Sequence, residues 1–336
     1  MSATPAPQPP SAASGPAAAA RLVGAVLGLA ALVVLMLGAF ALPGVHGGPH
    51  EVPIGLTGPR AATEPLQERL DGDEWDVTLY EDAGALADAV EDREITGGLA
   101  LAADGIDVYT ATAGTPLAAG ALTAMADSAA ARQQAAATVH DLAPFPEDDP
   151  RGSGFAAAGL PLIFGGILPA AVLSRVFPGR ANVRLRLAGA VLFSLVAGAA
   201  ATAVLQYATG SLAGDYWVSA LGLGLGVAAL SVAFVGLEAL LGLGGPATGA
   251  AVMMLLGNPL SGLATGPHWL PPGWAALGQL LPPGAAGSLL RANAFFDGTG
   301  AAEPSLVLAA WVVFGLVLGF AAHLRRPAAA RPPARR

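Results

Sequence analysis

Six runs of apolar residues decide what this chain can fold into: 22–42, 155–173, 187–207, 217–243, 247–264 and 305–322. About 20 consecutive apolar residues in a helix cross the roughly 30 Å of hydrocarbon in a bilayer. The first run is uninterrupted and has Arg21 on its amino side. A cleaved signal peptide is the rival reading there, because Ala39-Phe40-Ala41 imitates a small-x-small cleavage site. A signal h-region is about 7–15 residues long, and this run is longer, so it reads as a retained helix. Only 12 % of the chain is charged, where a soluble domain carries about 25 %.

The charges are segregated. Residues 44–154 hold twenty acidic side chains and five arginines, a net −15, which leaves the rest of the chain at +7. With six spans, the loop carrying Arg175, Arg180, Arg184 and Arg186 shares a side with the amino terminus. The tail carrying Arg325, Arg326, Arg331, Arg335 and Arg336 is on that side too, and neither stretch contains an acid. The positive-inside rule makes this side cytoplasmic; the alternative, a fifth span that dips and returns, would break the agreement for the tail. The expectation is a multi-pass plasma-membrane protein with both termini inside. Residues 1–20, rich in Ala and Pro, read as a disordered tail. Residues 21–43 are the first span, 44–154 lie outside, 155–323 form a five-helix membrane domain, and 324–336 are a basic tail. Every basic side chain is Arg and none is Lys; with so much Ala and Gly, this is the mark of a GC-rich genome.

Periodicity within the acidic segment predicts an α/β domain. Strands are expected at 52–56, 75–80, 97–103 and 106–110, the last two joined by an Asp104-Gly105 hairpin turn. Helices are expected at 61–70, 83–93 and 115–139. The order is βαβαββα, followed by a Pro- and acid-rich linker over 141–154.

No catalytic constellation emerges. His46, His50, His140, His268 and His323 are scattered, and Gly47-Gly48-Pro49 keeps the first two off a common helix face. The carboxylates of 44–154 read as a solvated surface, with Glu147-Asp148-Asp149 at most a weak cation site. There is no cysteine, hence no disulfide or thiolate site. No Walker motif is present. An enzyme, a cofactor, a metal centre and a nucleic-acid partner are therefore not expected. In the membrane, Glu238 is the one acid within a span, a candidate polar site. It lies near the inner end, where it can snorkel or pair with an inner-loop arginine. Asn258-Pro259 breaks the fifth span, and groups freed by such a break must be buried in protein or face a water-filled cavity. Gly222, Gly224 and Gly226, and Gly242, Gly244 and Gly245, suit close helix packing. Trp269 and Trp274 suit an outer interface, where amphipathic rings anchor. The apolar stretch between the prolines of 265–303 reads as an interfacial or re-entrant helix.

Three stretches resemble the membrane subunits of ABC-2 type transporters, in the bacterial branch with a large outer domain. They are Val52-Pro53-Ile54-Gly55-Leu56; Asp82-Ala83-Gly84-Ala85-Leu86 with Gly97-Gly98-Leu99-Ala100-Leu101; and Gly257-Asn258-Pro259-Leu260-Ser261-Gly262 followed by Leu281-Pro282-Pro283-Gly284. The likeness spans roughly 21–323 and extends to phage-infection-protein relatives. It implies export of a hydrophobic or lipid-like molecule by a homodimer or hetero-pair of permeases, driven by a separate ATPase chain. Arg175, Arg180, Arg184 and Arg186 would be the ATPase contact. The contact loop is short, however, and no amphipathic inner helix is evident in residues 1–20. The alternative is an ATPase-independent scaffold whose outer domain binds a cell-envelope partner.

Overall fold

A computed structural model of the protein describes residues 16–103, 105–242 and 244–324. Most of the expected amino-terminal tail, Asp104 of the expected hairpin turn, Leu243 and the basic tail from Arg325 lie outside the described residues. Helix α1 is Pro16–Val45. Residues 16–20, expected in the tail, belong to it, since Pro suits a first helical turn and alanine is the best helix former.

The α/β domain follows. Its strands are β1 (Val52–Thr57), β2 (Trp75–Leu79), β3 (Gly97–Leu101), β4 (Gly105–Thr110) and β5 (Ala136–Asp141), arranged β2-β1-β3-β4-β5. Its helices are α2 (Arg60–Leu70), α3 (Ala83–Glu91) and α4 (Pro116–Gln133). β1 runs parallel to β2 and β3, β3 and β4 form the expected antiparallel pair, and β5 runs parallel to β4. The order is thus βαβαββαβ, one strand longer than expected. The alanine-rich run expected to stay helical to residue 139 stops because Gln134 turns left-handed, φ 54°. Beyond it the β-branched Thr138 and Val139 extend the chain along β4. One face of the sheet buries Val52, Ile54, Leu56, Val77, Leu99 and Val108 against α2 and α4. The other packs Leu86, Ala89 and Val90 of α3 together with Phe295 and Phe296, which arrive from the helical domain.

The helical domain contains α5 (Ser153–Ala157), α6 (Gly159–Val176), α7 (Val183–Ala203, continued by a π turn, Val204–Ala208) and α8 (Tyr216–Leu241). Next come α9 (Gly244–Val252, continued by a π turn, Met253–Gly257), α10 (Trp274–Gln279), α11 (Pro282–Phe295) and α12 (Ala302–Leu324). Among the described residues, five helical stretches are long and apolar enough to cross a membrane: α1, α5–α6, α7 with its lead-in and π turn, α8, and α12. The expected fifth span, 247–264, is instead a helix of 14 residues, Gly244–Gly257. At 1.5 Å per residue such a helix covers about 21 Å, and the chain beyond it is irregular.

Helix α8 is the hub. Of its apolar stretch 78 % is buried, against none of α1, and α6, α7, α9, α11 and α12 all pack on it. Small residues set the approach. A Cβ at Gly198 of α7 would stand 2.5 Å from the Gly224 nitrogen of α8, and one at Gly315 of α12 would stand 2.5 Å from the backbone of Val232 and Ala233. Ser194 of α7 adds a hydroxyl contact to Ser231 of α8 at 3.0 Å. Gly222 and Gly226 of α8 face Asn293 and Ala286 of α11.

The linker is tied to the start of the bundle by Asp149, whose carboxylate accepts the amides of Ser153 at 2.8 Å and Gly154 at 2.7 Å. Burial alone would raise its pKa. The Gly154 amide, the Ser211 hydroxyl and the amides of Ser153 and Phe155 outweigh it and hold the carboxyl below the usual value.

Two outcomes follow from this packing. Replacing Gly315 by Leu is expected to push α12 off α8 and cost about 1–3 kcal/mol, as overpacking does. Gly24→Leu on α1, where nothing lies within 4 Å of the site, should leave detergent-solubilised thermal unfolding unchanged; equal effects would refute the crossing. A depressed folded-state pKa stabilises above the unfolded value of about 3.9 and ceases to as pH falls through the folded value. Asp149→Ala should therefore lose about 1 kcal/mol near neutrality, and its deficit against the unsubstituted chain should close in that acid window.

Candidate functional site

The helices run between two ends. α6 starts beside the α/β domain and finishes at Val176; α7 returns, α8 leaves again, and α12 ends with His323 Nδ1 3.4 Å from the Arg180 carbonyl. Arg175, Arg180, Arg184, Arg186 and Glu238 therefore gather at the end far from the α/β domain. Arg175, Arg180 and Arg184 are exposed there. Arg186 is not: α7 begins at Val183, so what reads as a loop through residue 186 is already helix. One turn into it, Arg186 points into the bundle and is 2 % exposed. Its guanidinium pairs with the Glu238 carboxylate of α8 and donates to Ser174 Oγ at 3.1 Å. Glu238 is thus paired with an arginine, one of the two roles that its position allowed, and Arg186 drops out of the exposed contact set.

Asn258 sits at the opposite end of α9 and its π turn, and the structure does not bring it to Glu238. It is half-buried and lines a cleft of about 400 Å³ at the domain-facing end. Phe40, Pro43 and Gly44 of α1 form one wall, and 258–259, 261–265, Trp269 and Leu270 form the other. The break in the helix is stitched rather than left open. The Asn258 amide reaches Met253 O at 2.9 Å, closing the π turn, and Ser261 Oγ donates to Asn258 O at 2.7 Å. Gln279 Nε2 donates to Ser261 O at 3.2 Å and is held in turn by Ser288. Gly257 lets the turn close on Pro283, whose ring carbon would stand 2.9 Å from a Cβ there. The cleft is mainly apolar with a few polar groups in its lining, the make-up of a site for an apolar molecule.

The segment 265–303 does more than line an interface. α10 is the expected short apolar helix. It is followed by α11, whose residues from Pro282 to Leu290 are almost all buried, as is Arg291. Trp269 packs against the hydrophobic core of the α/β domain, and Gly48 and His50 hydrogen-bond to the carbonyls of Trp269 and His268. Trp269 is therefore a joint between domains. Trp274 opens α10 and is half-buried. The residue that sequence reasoning passed over is Arg291, 2 % exposed. Its Nε donates to Ala113 O and its Nη2 to Leu263 O, both at 2.8 Å, and the guanidinium lies over the Phe155 ring, 4.8 Å from its centroid. The signal was present: among residues 265–296 it is the one fully charged side chain, in an otherwise apolar stretch.

Against protein-family models, curated proteins and solved structures, the chain finds no match.

Breaking a buried pair leaves one charge uncompensated, whereas replacing both partners by apolar groups is often neutral. Glu238→Gln is expected to destabilise the solubilised protein by about 3–5 kcal/mol, with most of that recovered in the double variant Arg186→Met, Glu238→Leu. Should the single change prove harmless in thermal unfolding, the pair does not hold the far end together.

Proposed function

We propose that the chain is the membrane subunit of an ABC-2-like exporter that moves a hydrophobic or lipid-like molecule, with a separate ATPase chain supplying the energy. The observation that carries this reading is the cleft between α1 and the stitched break after Gly257. It joins an apolar wall to a segment whose irregular backbone is bonded within the protein, as non-helical backbone at membrane depth must be. In this reading the fifth pass is completed by residues 258–266. That gives six spans, with both termini and the exposed Arg175, Arg180 and Arg184 in the cytoplasm and the acidic α/β domain outside. α1 makes almost no intrachain contact along its length. Its apolar surface would face lipid or a second permease subunit.

The ATPase contact in this reading is Arg175, Arg180 and Arg184, without Arg186. Replacing the three by Ala should abolish copurification with a cognate ATPase while leaving thermal unfolding unchanged. A complex that survives the triple change would overturn the contact. A reporter fused after residue 336 should read as cytoplasmic, and periplasmic-type activity would refute the six spans.

One observation favours a second reading, a scaffold without an ATPase. β5 is an edge strand with no buried residue, half of its six exposed, and such edges accept a partner strand. In that case substituting the three arginines leaves function intact.

A further inference from the structure

A second, smaller cavity lies where the α/β domain meets α11, apart from the cleft described above. It encloses about 100 Å³ and is lined by Arg93, Arg291, His268, Thr96 and Thr115 among apolar neighbours, with no carboxylate in its wall. By the same measure it is about a quarter the size of the cleft, a place for a small group.

Its charges lack counter-charges. Among the described residues neither Arg93 nor Arg291 has a carboxylate within ion-pair distance. The acids nearest in sequence, Asp92, Glu94 and Asp297, are exposed and do not line the cavity. Both guanidiniums are held in place. Arg93 donates from Nη1 to Thr299 O at 3.0 Å and lies over Phe296, while Arg291 lies over Phe155 and spends two of its five N–H groups on carbonyls. The remaining N–H groups of each are left for another acceptor. The backbone of Arg93 is fixed as well: it closes α3 in the left-handed conformation, φ 61°, its amide on Val90 O and that of Glu94 on Ala89 O.

Thr115 supplies an independent observation. It is 8 % exposed, and its hydroxyl has no hydrogen-bond partner among the described residues. It precedes α4, an 18-residue helix, yet makes no side-chain cap. The positive dipole end of α4 therefore lies beside the cavity, although Pro116 offers no N–H there. Two positioned guanidiniums, an unpartnered hydroxyl and a helix amino terminus, with no acid to balance them, are the donor set of an oxyanion site.

We propose that this cavity binds a phosphate-type oxyanion, clamped by Arg93, Arg291 and Thr115, which pins the α/β domain to α11. The anion has two sources, a phospholipid headgroup or free phosphate. The inference holds whether or not an ATPase drives the bundle.

The test uses the full chain, delipidated in uncharged detergent and titrated calorimetrically with inorganic phosphate and, separately, with dihexanoyl phosphatidylglycerol. At least one probe should bind at one equivalent. Arg93→Gln should weaken it about tenfold, the loss of a charge-assisted hydrogen bond, and Thr115→Val about threefold. Arg60→Gln, on the exposed surface of α2, should leave affinity unchanged. Binding of phosphate itself assigns the site to the free anion, and binding of the lipid alone assigns it to a headgroup. Binding of neither probe, or affinity indifferent to both Arg93→Gln and Thr115→Val, overturns the proposal. Arg291→Gln would also lose the bonds to Ala113 and Leu263 and so disturb the fold itself.

Discussion

The carbonyls of Ala113 and Leu263 meet on one buried guanidinium, that of Arg291, and the relation between the two domains depends on that meeting. Ala113 belongs to the loop between β4 and α4, Leu263 to the broken chain after α9, and Phe155, beneath the guanidinium, to α5. Each carbonyl would otherwise be a buried acceptor without a donor, which costs more than an unmade surface bond. Arg291 is thus a clasp whose removal exposes several faults at once. Phe295 and Phe296, a turn further on, extend the same clasp into the core beneath α3.

The bundle around the clasp is governed by the scarcity of polar partners in an apolar setting. A helix satisfies its own backbone, so the long helices need only shape to associate, and glycine lets them approach closely along α8. The break after Gly257 has no such self-sufficiency. Gln279, Ser261 and Arg291 supply what the lost helical bonds no longer do. That α10 and α11 fold back against the break follows from this need. The same folding places one wall of the large cleft and one wall of the small cavity.

Much of this was legible in the linear chain, because it rests on local rules. The first four long apolar stretches and the last, the β–α alternation and the β3–β4 hairpin follow from run length and period. The pairing open to Glu238 followed from its depth in its helix. β5 was not legible: alanine-rich sequence favours helix, and its extension depends on β4 offering an edge. Nor was the shortness of the fifth helix, since 258–264 stays apolar after the helix has ended.

By itself, the sequence determined that this is a chain of membrane-length apolar helices with an acidic α/β insertion, since hydrophobic run length and charge segregation need no neighbours to act. The tertiary structure decided which polar groups lie inside. Arg186 and Arg291 read as basic residues like any other. Whether an arginine is an exposed contact or a buried clasp depends on what the fold brings within about 3 Å of its guanidinium, and those partners lie up to 178 positions away in the chain.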